Sequence, residues 1–351
     1  MKTITDKFTI PMPLRYLINA ALFAAFLIVM NHFISSGAIG NYYAGVISLI
    51  GINIILAVSL NVATGYLGQL PLGHAGFLAV GAYTSAIIMR AAEGSEIVFP
   101  FALLAGAVVA ALFGLMIGIP ALRLRGDYIA ILTLGFGEII RVVLLNIDSV
   151  LGFRLTNGAA GLNNIPRTTT FLWTFIFVGI TCFTIHTLMK SRHGRAILSI
   201  RENEIASESC GINTTYYKTL AFVASAFFAG IAGGLYAGYI GFLSPSNFGF
   251  MKSIEILVMV VLGGMGSMFG SVLSATVLTA LPEVLRAFEA YRMVAYSLVL
   301  VVVMIFKPSG LMGTYDFSLS HLLEKAVGLL RGGGKGGGGT KEALASGKES
   351  E

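Results

Sequence analysis

The sequence has few charged residues and few cysteines for its length. Charged residues make up 11% of the chain, against roughly 25% in a soluble domain, whereas hydrophobic residues make up 56%. This composition excludes an ordinary soluble globular protein. The two cysteines, Cys182 and Cys210, lie in unlike contexts, so neither a disulfide framework nor a metal-binding cysteine pair is predicted.

Sequence motifs for catalysis and nucleotide binding are also missing. None of the five histidines stands at the spacing of a metal-binding pair, and the chain has neither a Gly-x-Ser-x-Gly motif nor a phosphate-binding loop ending in Gly-Lys-Ser/Thr. We therefore predict no catalytic residue, no metal and no other cofactor in this chain. If ATP drives its activity, a separate subunit has to bind the ATP.

Long hydrophobic blocks, in contrast, run through most of the chain. A membrane-spanning helix needs about 20 apolar residues, and continuous apolar blocks indicate helices rather than strands. Ten spans are predicted, at residues 15–35, 44–63, 73–90, 99–120, 128–147, 171–189, 219–240, 251–262, 270–285 and 293–306. The predicted fold class is an all-α polytopic membrane bundle with broken or re-entrant glycine-rich segments.

The distribution of basic residues sets the expected topology. The two termini and the segments on their side of the bundle hold sixteen Lys and Arg, and the opposite segments hold six. Because basic residues favour the cytoplasmic side, both termini are predicted to be cytoplasmic. This pattern accounts for the net charge of +6 without nucleic-acid binding. The first apolar run has no small-residue cleavage site and is expected to be a retained helix.

Three regions are predicted along the chain. They are a cytoplasmic N-terminus at residues 1–14, a transmembrane domain at 15–313, and a cytoplasmic tail at 314–351. Residues 316–330 have the pattern of a short amphipathic helix at the membrane surface. From about residue 331 the tail is glycine-rich and charged, a composition typical of disorder.

Two glycine-rich segments between apolar runs, residues 65–77 and 263–270, are the first candidates for a substrate pathway. Non-helical backbone at membrane depth persists only where protein surrounds it or a wet cavity is present, so the first segment predicts a broken or re-entrant helix. An ordinary tight loop is an equal alternative. Interrupted segments in two corresponding halves point to a transport site, so the second is a possible counterpart of the first. The pathway candidates in these segments are Gly65, Gly68, Gln69, Gly73, His74, Gly264 and Gly266.

Ionisable residues inside the spans are further pathway candidates. Glu138 and Arg141 are three residues apart, so they share one helix face and can pair. Charged groups within a membrane usually face the bundle interior or a cavity. The alternative for this pair is a structural ion pair that fixes packing. Glu255 lies near the outer start of the eighth span, where it can also simply reach the surface.

The longest polar segment on the cytoplasmic side, residues 190–218, has helical character. Its apolar residues favour one side, and Gly211 is suited to follow the end of a helix because glycine adopts the left-handed conformation easily. Such a helix can lie on the membrane or dock in a groove of a partner, and the alternative is a solvated loop that anchors topology. The candidate partner-coupling residues are Arg201, Glu204, Ala206 and Gly211.

Several stretches of the chain together resemble the permeases of branched-chain amino-acid ABC importers, the LivH/LivM family, and its LivM branch in particular. They span about residues 40–313 and comprise residues 65–82, 123–141, 194–212, 254–267 and 307–313. The segment containing Glu204, Ala206 and Gly211 is similar to the family's loop that couples the permease to its ATPase, with Ile205 in the place of an alanine.

The resemblance implies a multi-pass protein of the bacterial inner membrane that imports aliphatic amino acids by alternating access. The expected partners are a second, paralogous permease, two ATP-binding-cassette ATPases, a periplasmic binding protein and the lipid bilayer. Three other functions are left open. They are a related ABC permease for urea or short-chain amides, an ion-coupled secondary transporter or channel, and an intramembrane enzyme.

Overall fold

The computed structural model describes residues 12–311 except 123, 125, 127, 153–155, 287–290, 292–293, 295–296, 299–300, 302–304 and 308–309. The chain divides into two units, Met1–Phe26 with Phe317–Glu351, and Leu27–Asp316. Of the first unit, only residues 12–26 are described, as part of the first helix. Most of the predicted N-terminal segment, most of the tenth predicted span and the whole predicted tail therefore lie outside the described residues.

The described residues form helices joined by connections, with one isolated antiparallel bridge between Leu162 and Leu243. The predicted all-α membrane bundle is confirmed. The α-helices are α1 (Met12–Ser35), α2 (Asn41–Asn61), α3 (His74–Ala91), α4 (Phe99–Ala121), α5 (Tyr128–Leu151), α6 (Phe171–Lys190), α7 (Arg192–Glu202), α8 (Glu204–Ser209), α9 (Thr214–Ile240), α10 (Phe250–Gly263) and α11 (Met268–Val284).

Each of the first nine predicted spans coincides with one of these helices. Within the described part of the chain, five helices are long and apolar enough to cross a membrane: Asn41–Tyr66, Phe99–Ala121, Tyr128–Ser149, Phe171–Lys190 and Thr214–Ile240. Helix α3 is not among them, because its 18 residues include several small and polar ones. Helix α10 has 14 residues. At 1.5 Å per residue it is about 21 Å long, too short for a full crossing.

Helix α9 begins five residues before the predicted seventh span, at Thr214 instead of residue 219. The side chain of Asn213 caps its first turn by accepting a hydrogen bond from the backbone N–H of Tyr216 at 3.0 Å. The sequence analysis placed Lys218 at the end of the polar segment 190–218, outside the predicted span. In the structure Lys218 is inside the helix, buried and paired with an acidic residue.

Helices α3, α4 and α9 cross one another at glycines, which lets their backbones approach closely. An added Cβ at Gly81 in α3 would overlap the backbone of Gly230 in α9, and one at Gly233 would overlap the backbone of Leu78. Small residues at such crossings allow the tight packing on which helix association in membranes depends. Helix α2 is buried along residues 51–61 and packs against α6, α9, α10 and α11. These helices form the scaffold that positions the candidate site.

Candidate functional site

The first glycine-rich segment ends α2 through a π-helical turn, Val62–Tyr66. The backbone then stays irregular until α3 begins at His74. Gly68 has a φ of 78°, a conformation that glycine adopts without the steric penalty of other residues. The chain is thus interrupted between α2 and α3, which agrees with the predicted broken helix and equally with its alternative, a tight loop. Single π-turns often occur at functional sites.

The second glycine-rich segment separates α10 from α11. Gly264 and Gly266 have φ angles of 106° and 88°, so the chain cannot continue as a helix there. The hydroxyl of Ser267 accepts a hydrogen bond from the backbone N–H of Gly270 at 3.0 Å and thereby caps α11. The interruption predicted at these glycines is confirmed.

The two breaks meet in space. Asn61, at the end of α2, donates a hydrogen bond from Nδ2 to the carbonyl of Ser267 at 3.0 Å and accepts one at Oδ1 from the N–H of Gly266 at 2.9 Å. A Cβ added to Gly65 would overlap the backbone of Gly266. We call Asn61, Gly65, Gly266 and Ser267 the glycine junction. It brings together Gly65 and Gly266, pathway candidates far apart in the sequence.

Asn61 was missed by the sequence analysis, although its side chain joins the two breaks. The residue is fully buried, and its amide bonds to the backbone N–H of Gly266 and the carbonyl of Ser267. One signal was available: a polar amide four residues before Gly65, at the end of an apolar run. Polar residues in such runs mark functional or tightly packed positions. Inside the spans, however, only ionisable residues were taken as pathway candidates, and an asparagine is not ionisable.

Replacing Asn61 by leucine should destabilise the protein. The change leaves the N–H of Gly266 without its acceptor, and a buried unsatisfied group costs about 1–3 kcal/mol. The carbonyl of Ser267 loses one of its donors but keeps the N–H of Ser271 at 3.1 Å. We expect a lower unfolding temperature in detergent. The matched control is Asn146→Leu, because Asn146 is exposed and its amide bonds within its own helix, to the carbonyl of Val142. Equal unfolding temperatures for the two variants would show that the Asn61 bridge is dispensable.

Among the other candidates of the first segment, His74 and Gly73 contact neighbouring helices. The Nε2 atom of buried His74 lies 3.0 Å from the hydroxyl of Ser59 in α2. A Cβ on Gly73 would overlap the carbonyl of Thr133 in α5. The Oε1 atom of Gln69 is buried without a hydrogen-bond partner among the described residues. A pathway role for Gly68, Gln69, Gly73 and His74 stays a prediction.

Gly264 contacts a more distant part of the chain. A Cβ added to Gly310 would overlap the backbone of Gly264. Next to this contact, the N–H of Leu311 donates a hydrogen bond to the carbonyl of Leu262 at 2.8 Å. The segment at residues 310–311 thus packs on the second break, beside the glycine junction. A pathway role for Gly264 stays a prediction.

Glu138 and Arg141 form the predicted ion pair, with Arg141 Nε 2.6 Å from Glu138 Oε2. The other carboxylate oxygen of Glu138 accepts a hydrogen bond from the N–H of Phe250 at 3.1 Å. Phe250 begins α10, and a negative charge at a helix N-terminus is electrostatically favourable. Glu138 therefore joins α5 to α10. Glu255 pairs with Lys252 at 3.0 Å within α10. Whether the pathway includes these charges stays a prediction.

The predicted helical character of residues 190–218 is confirmed, in the form of α7, α8 and the first turn of α9. We call α7 and α8 the coupling segment. The hydroxyl of Ser191 caps α7, and Asn203 caps α8 by accepting a hydrogen bond from the N–H of Ala206 at 3.0 Å. Gly211 follows α8 with a φ of 83°. Ile197 and Ile200 are buried, so one face of α7 packs on the bundle.

The coupling candidates divide between the two sides of this segment. Arg201 donates a hydrogen bond to the carbonyl of Gly65 at 2.9 Å, and so contacts the glycine junction. Glu204 binds Lys218 of α9 at 2.6 Å, and the lysine side chain is only 4% exposed. Ala206 and Gly211 are exposed. Arg201 and Glu204 therefore contact the rest of this chain. Lys218, which the sequence analysis did not select, is the partner that holds α8 on α9.

Comparison with known proteins identifies relatives of this chain. The family described as branched-chain amino acid transport system / permease component matches residues 42–307. The high-affinity branched-chain amino acid transport system permease protein LivM of Salmonella typhimurium is 38% identical over 296 residues, which cover 74% of this chain and 68% of that protein. LivM of Escherichia coli K12 shows the same identity and coverage. LivH of Salmonella typhimurium is 24% identical over 285 residues, covering 74% of this chain and 90% of that protein.

No solved structure matches the chain. Interrupted membrane helices are found in membrane transport proteins, and the described bundle has two such interruptions. The family match covers most of the chain, and LivM is similar over about two thirds of its own length. This chain belongs to the branched-chain amino acid transport system permease family.

Proposed function

We propose that this chain is the permease subunit of an ATP-binding-cassette importer for branched-chain amino acids in the bacterial inner membrane. Its family and the printed function of its LivM relatives support this substrate class. Both termini face the cytoplasm in this proposal, as the excess of basic residues on that side suggests. The chain itself binds no cofactor, and its partners bind and hydrolyse the ATP.

The proposed complex contains a second permease, two ATPases and a periplasmic binding protein. A paralogous second permease is supported by Salmonella typhimurium, which has both LivM and LivH, two proteins to which this chain is similar. The binding protein delivers the amino acid on the outer side. ATP binding closes the ATPases, and the coupling segment transmits their movement so that the spans repack around the substrate.

The exposure of Ile205 on the coupling segment supports the proposal that an ATPase docks there. Ile205, in α8, is 69% exposed, while the buried isoleucines of α7 and the Glu204–Lys218 ion pair fix the opposite side to the bundle. The segment is thus attached on one side and presents an apolar residue on the other. Single exposed apolar residues are common on protein surfaces, so we assign the docking to this surface because residues 204–211 also resemble the family's ATPase-coupling loop.

An Ile205→Arg variant should lose the ATPase while it keeps its fold, because the exposed side chain contributes little to the core. A tagged chain would be purified in mild detergent from its own host, and co-purifying subunits would be identified by mass spectrometry. We expect an ATPase with a phosphate-binding loop and a second permease with the wild type, and much less ATPase with the variant. Ile97→Arg is the matched control, since Ile97 is 79% exposed outside the coupling segment.

The result also separates the competing functions. A wild-type chain that purifies without any ATPase, yet supports uptake that follows an ion gradient, would establish a secondary transporter. An ATPase-bound complex that transports urea or short amides, and not leucine, would keep the importer assignment and change its substrate. Retention of the ATPase by Ile205→Arg would place the docking surface elsewhere on the chain.

A further inference from the structure

The guanidinium of Arg201 extends from the last turn of α7 to the broken end of α2. Its Nη1 atom donates a hydrogen bond to the carbonyl of Gly65 at 2.9 Å. Its Nη2 and Nε atoms bind Oε1 of Glu202 at 2.6 and 3.2 Å. About a third of the arginine side chain is exposed, so most of it packs against the permease. Arg201, a candidate partner-coupling residue of the sequence analysis, therefore also bonds within this chain.

The carbonyl of Gly65 needs a donor from elsewhere. The last carbonyls of a helix have no N–H partner within the helix. At the end of α2, the N–H of Leu67 binds the carbonyl of Val62, and the N–H of Gln69 binds that of Ala63. Arg201 supplies the donor to Gly65, and a cation is favourable at the negative end of a helix dipole. Arg201 therefore caps a membrane helix from outside it.

Two further glycines lie against Arg201. A Cβ added to Gly68 would lie 2.8 Å from Arg201 Cγ, and one added to Gly266 would lie 3.1 Å from Nη1. Side chains at these positions would crowd the arginine. The guanidinium thus lies between the two glycine-rich breaks. Its hydrogen bond to Gly65 links α7 to the glycine junction at the end of α2.

An arginine suits this position better than a lysine. Its planar group bonds to the Gly65 carbonyl and the Glu202 carboxylate at the same time. A lysine ammonium is a compact, strongly hydrated charge on a flexible chain, and it cannot hold two separated acceptors in one fixed geometry. The contact therefore fixes the direction in which α7 meets α2, in addition to supplying a positive charge.

We propose that Arg201 is the positioning residue that transmits movement of the coupling segment to the glycine junction. This inference rests on the proposed function, because it assigns the movement to partner ATPases that dock on α8. When α7 is displaced, the bond to the Gly65 carbonyl carries the displacement to the end of α2, and through Asn61 to Gly266 and Ser267. The backbone breaks then change their packing while the crossing of α3, α4 and α9 stays rigid.

The test compares Arg201→Gln with Arg195→Gln in the reconstituted importer. Arg195 is on the same helix and exposed, and it bonds to the nearby carbonyl of Lys190, so its loss changes charge equally without touching the junction. We expect Arg201→Gln to retain its ATPases and to lower leucine uptake about tenfold, within the range of coupling changes along such networks. The ATP hydrolysed per leucine imported should rise accordingly. Arg201→Lys should recover only part of the uptake.

Three results would overturn the proposal. Uptake by Arg201→Gln that equals that of Arg195→Gln would show that the contact is not needed. Loss of the ATPases from Arg201→Gln alone would place Arg201 at the docking surface. A fall in hydrolysis and uptake by the same factor would indicate a merely structural role. Failure of the importer assignment itself is distinguishable, because the wild-type complex would then contain no ATPase.

Discussion

A Gly65→Val variant is expected to lose most of its transport activity. Any side chain at this position overlaps Oδ1 of Asn61 and the backbone of Gly266. These neighbours cannot move away as a flexible side chain could, because one is backbone and the other is a buried amide with two hydrogen bonds. Overpacking at a buried site typically costs about 1–3 kcal/mol. Here it also separates the two breaks, so uptake of leucine should fall at least as much as in the Arg201→Gln variant.

The matched control for this variant is Gly40→Val. Gly40 precedes the other end of the same helix, α2, with a φ of −60°, and an added Cβ meets no atom within 4 Å. The same change should therefore leave uptake and the unfolding temperature close to those of the wild type. If Gly65→Val and Gly40→Val behaved alike in both measurements, the close contact at the glycine junction would not be required for transport.

A Glu204→Gln variant is expected to detach α8 from α9. The substitution removes the negative charge that lies 2.6 Å from the ammonium of Lys218. The lysine side chain is only 4% exposed, so water cannot replace the lost carboxylate. Removing one partner of a buried ion pair costs about 3–5 kcal/mol. Because Glu204 itself is 33% exposed, the lower end of that range is the reasonable expectation. The unfolding temperature should fall, and less ATPase should co-purify.

A double-mutant cycle separates the pair from its surroundings. The proteins are the wild type, Glu204→Gln, Lys218→Met and the double variant, each measured by thermal unfolding in detergent. The double variant contains no buried unpaired charge, so it should be more stable than Glu204→Gln alone. Strictly additive effects of the two substitutions would show that the two groups do not interact in the folded protein.

The positions of most helices follow from the sequence because each apolar block is continuous and ends at glycine, proline or charge. The start of α9 does not follow in this way. Lys218 lies inside that helix, where Glu204, fourteen residues earlier in the chain, pairs with it, and Asn213 caps the first turn. The local hydrophobicity of the sequence does not predict this ion pair, because the pair depends on how the residues between Glu204 and Lys218 fold.

The candidate site was predictable in part. Clusters of glycine with proline or serine identified both breaks, since such residues do not continue a helix. Their meeting was not predictable, because it depends on the side chain of Asn61 in a tertiary contact. The helical coupling segment was likewise predictable from its residues. Which of its side chains face inward was not, because this depends on contacts outside the segment. Arg201 bonds to the carbonyl of Gly65 after α2, and Glu204 pairs with Lys218 in α9.

Uptake by the purified importer tests the central claim most directly. The chain and its co-purified subunits would be reconstituted in liposomes with the periplasmic binding protein and radiolabelled leucine. We predict uptake that requires ATP, persists when ion gradients are collapsed, and is reduced by unlabelled isoleucine and valine but not by urea. Uptake that needs no ATP and disappears with the ion gradient, or transport of urea in place of leucine, would contradict the assignment as a branched-chain amino-acid importer.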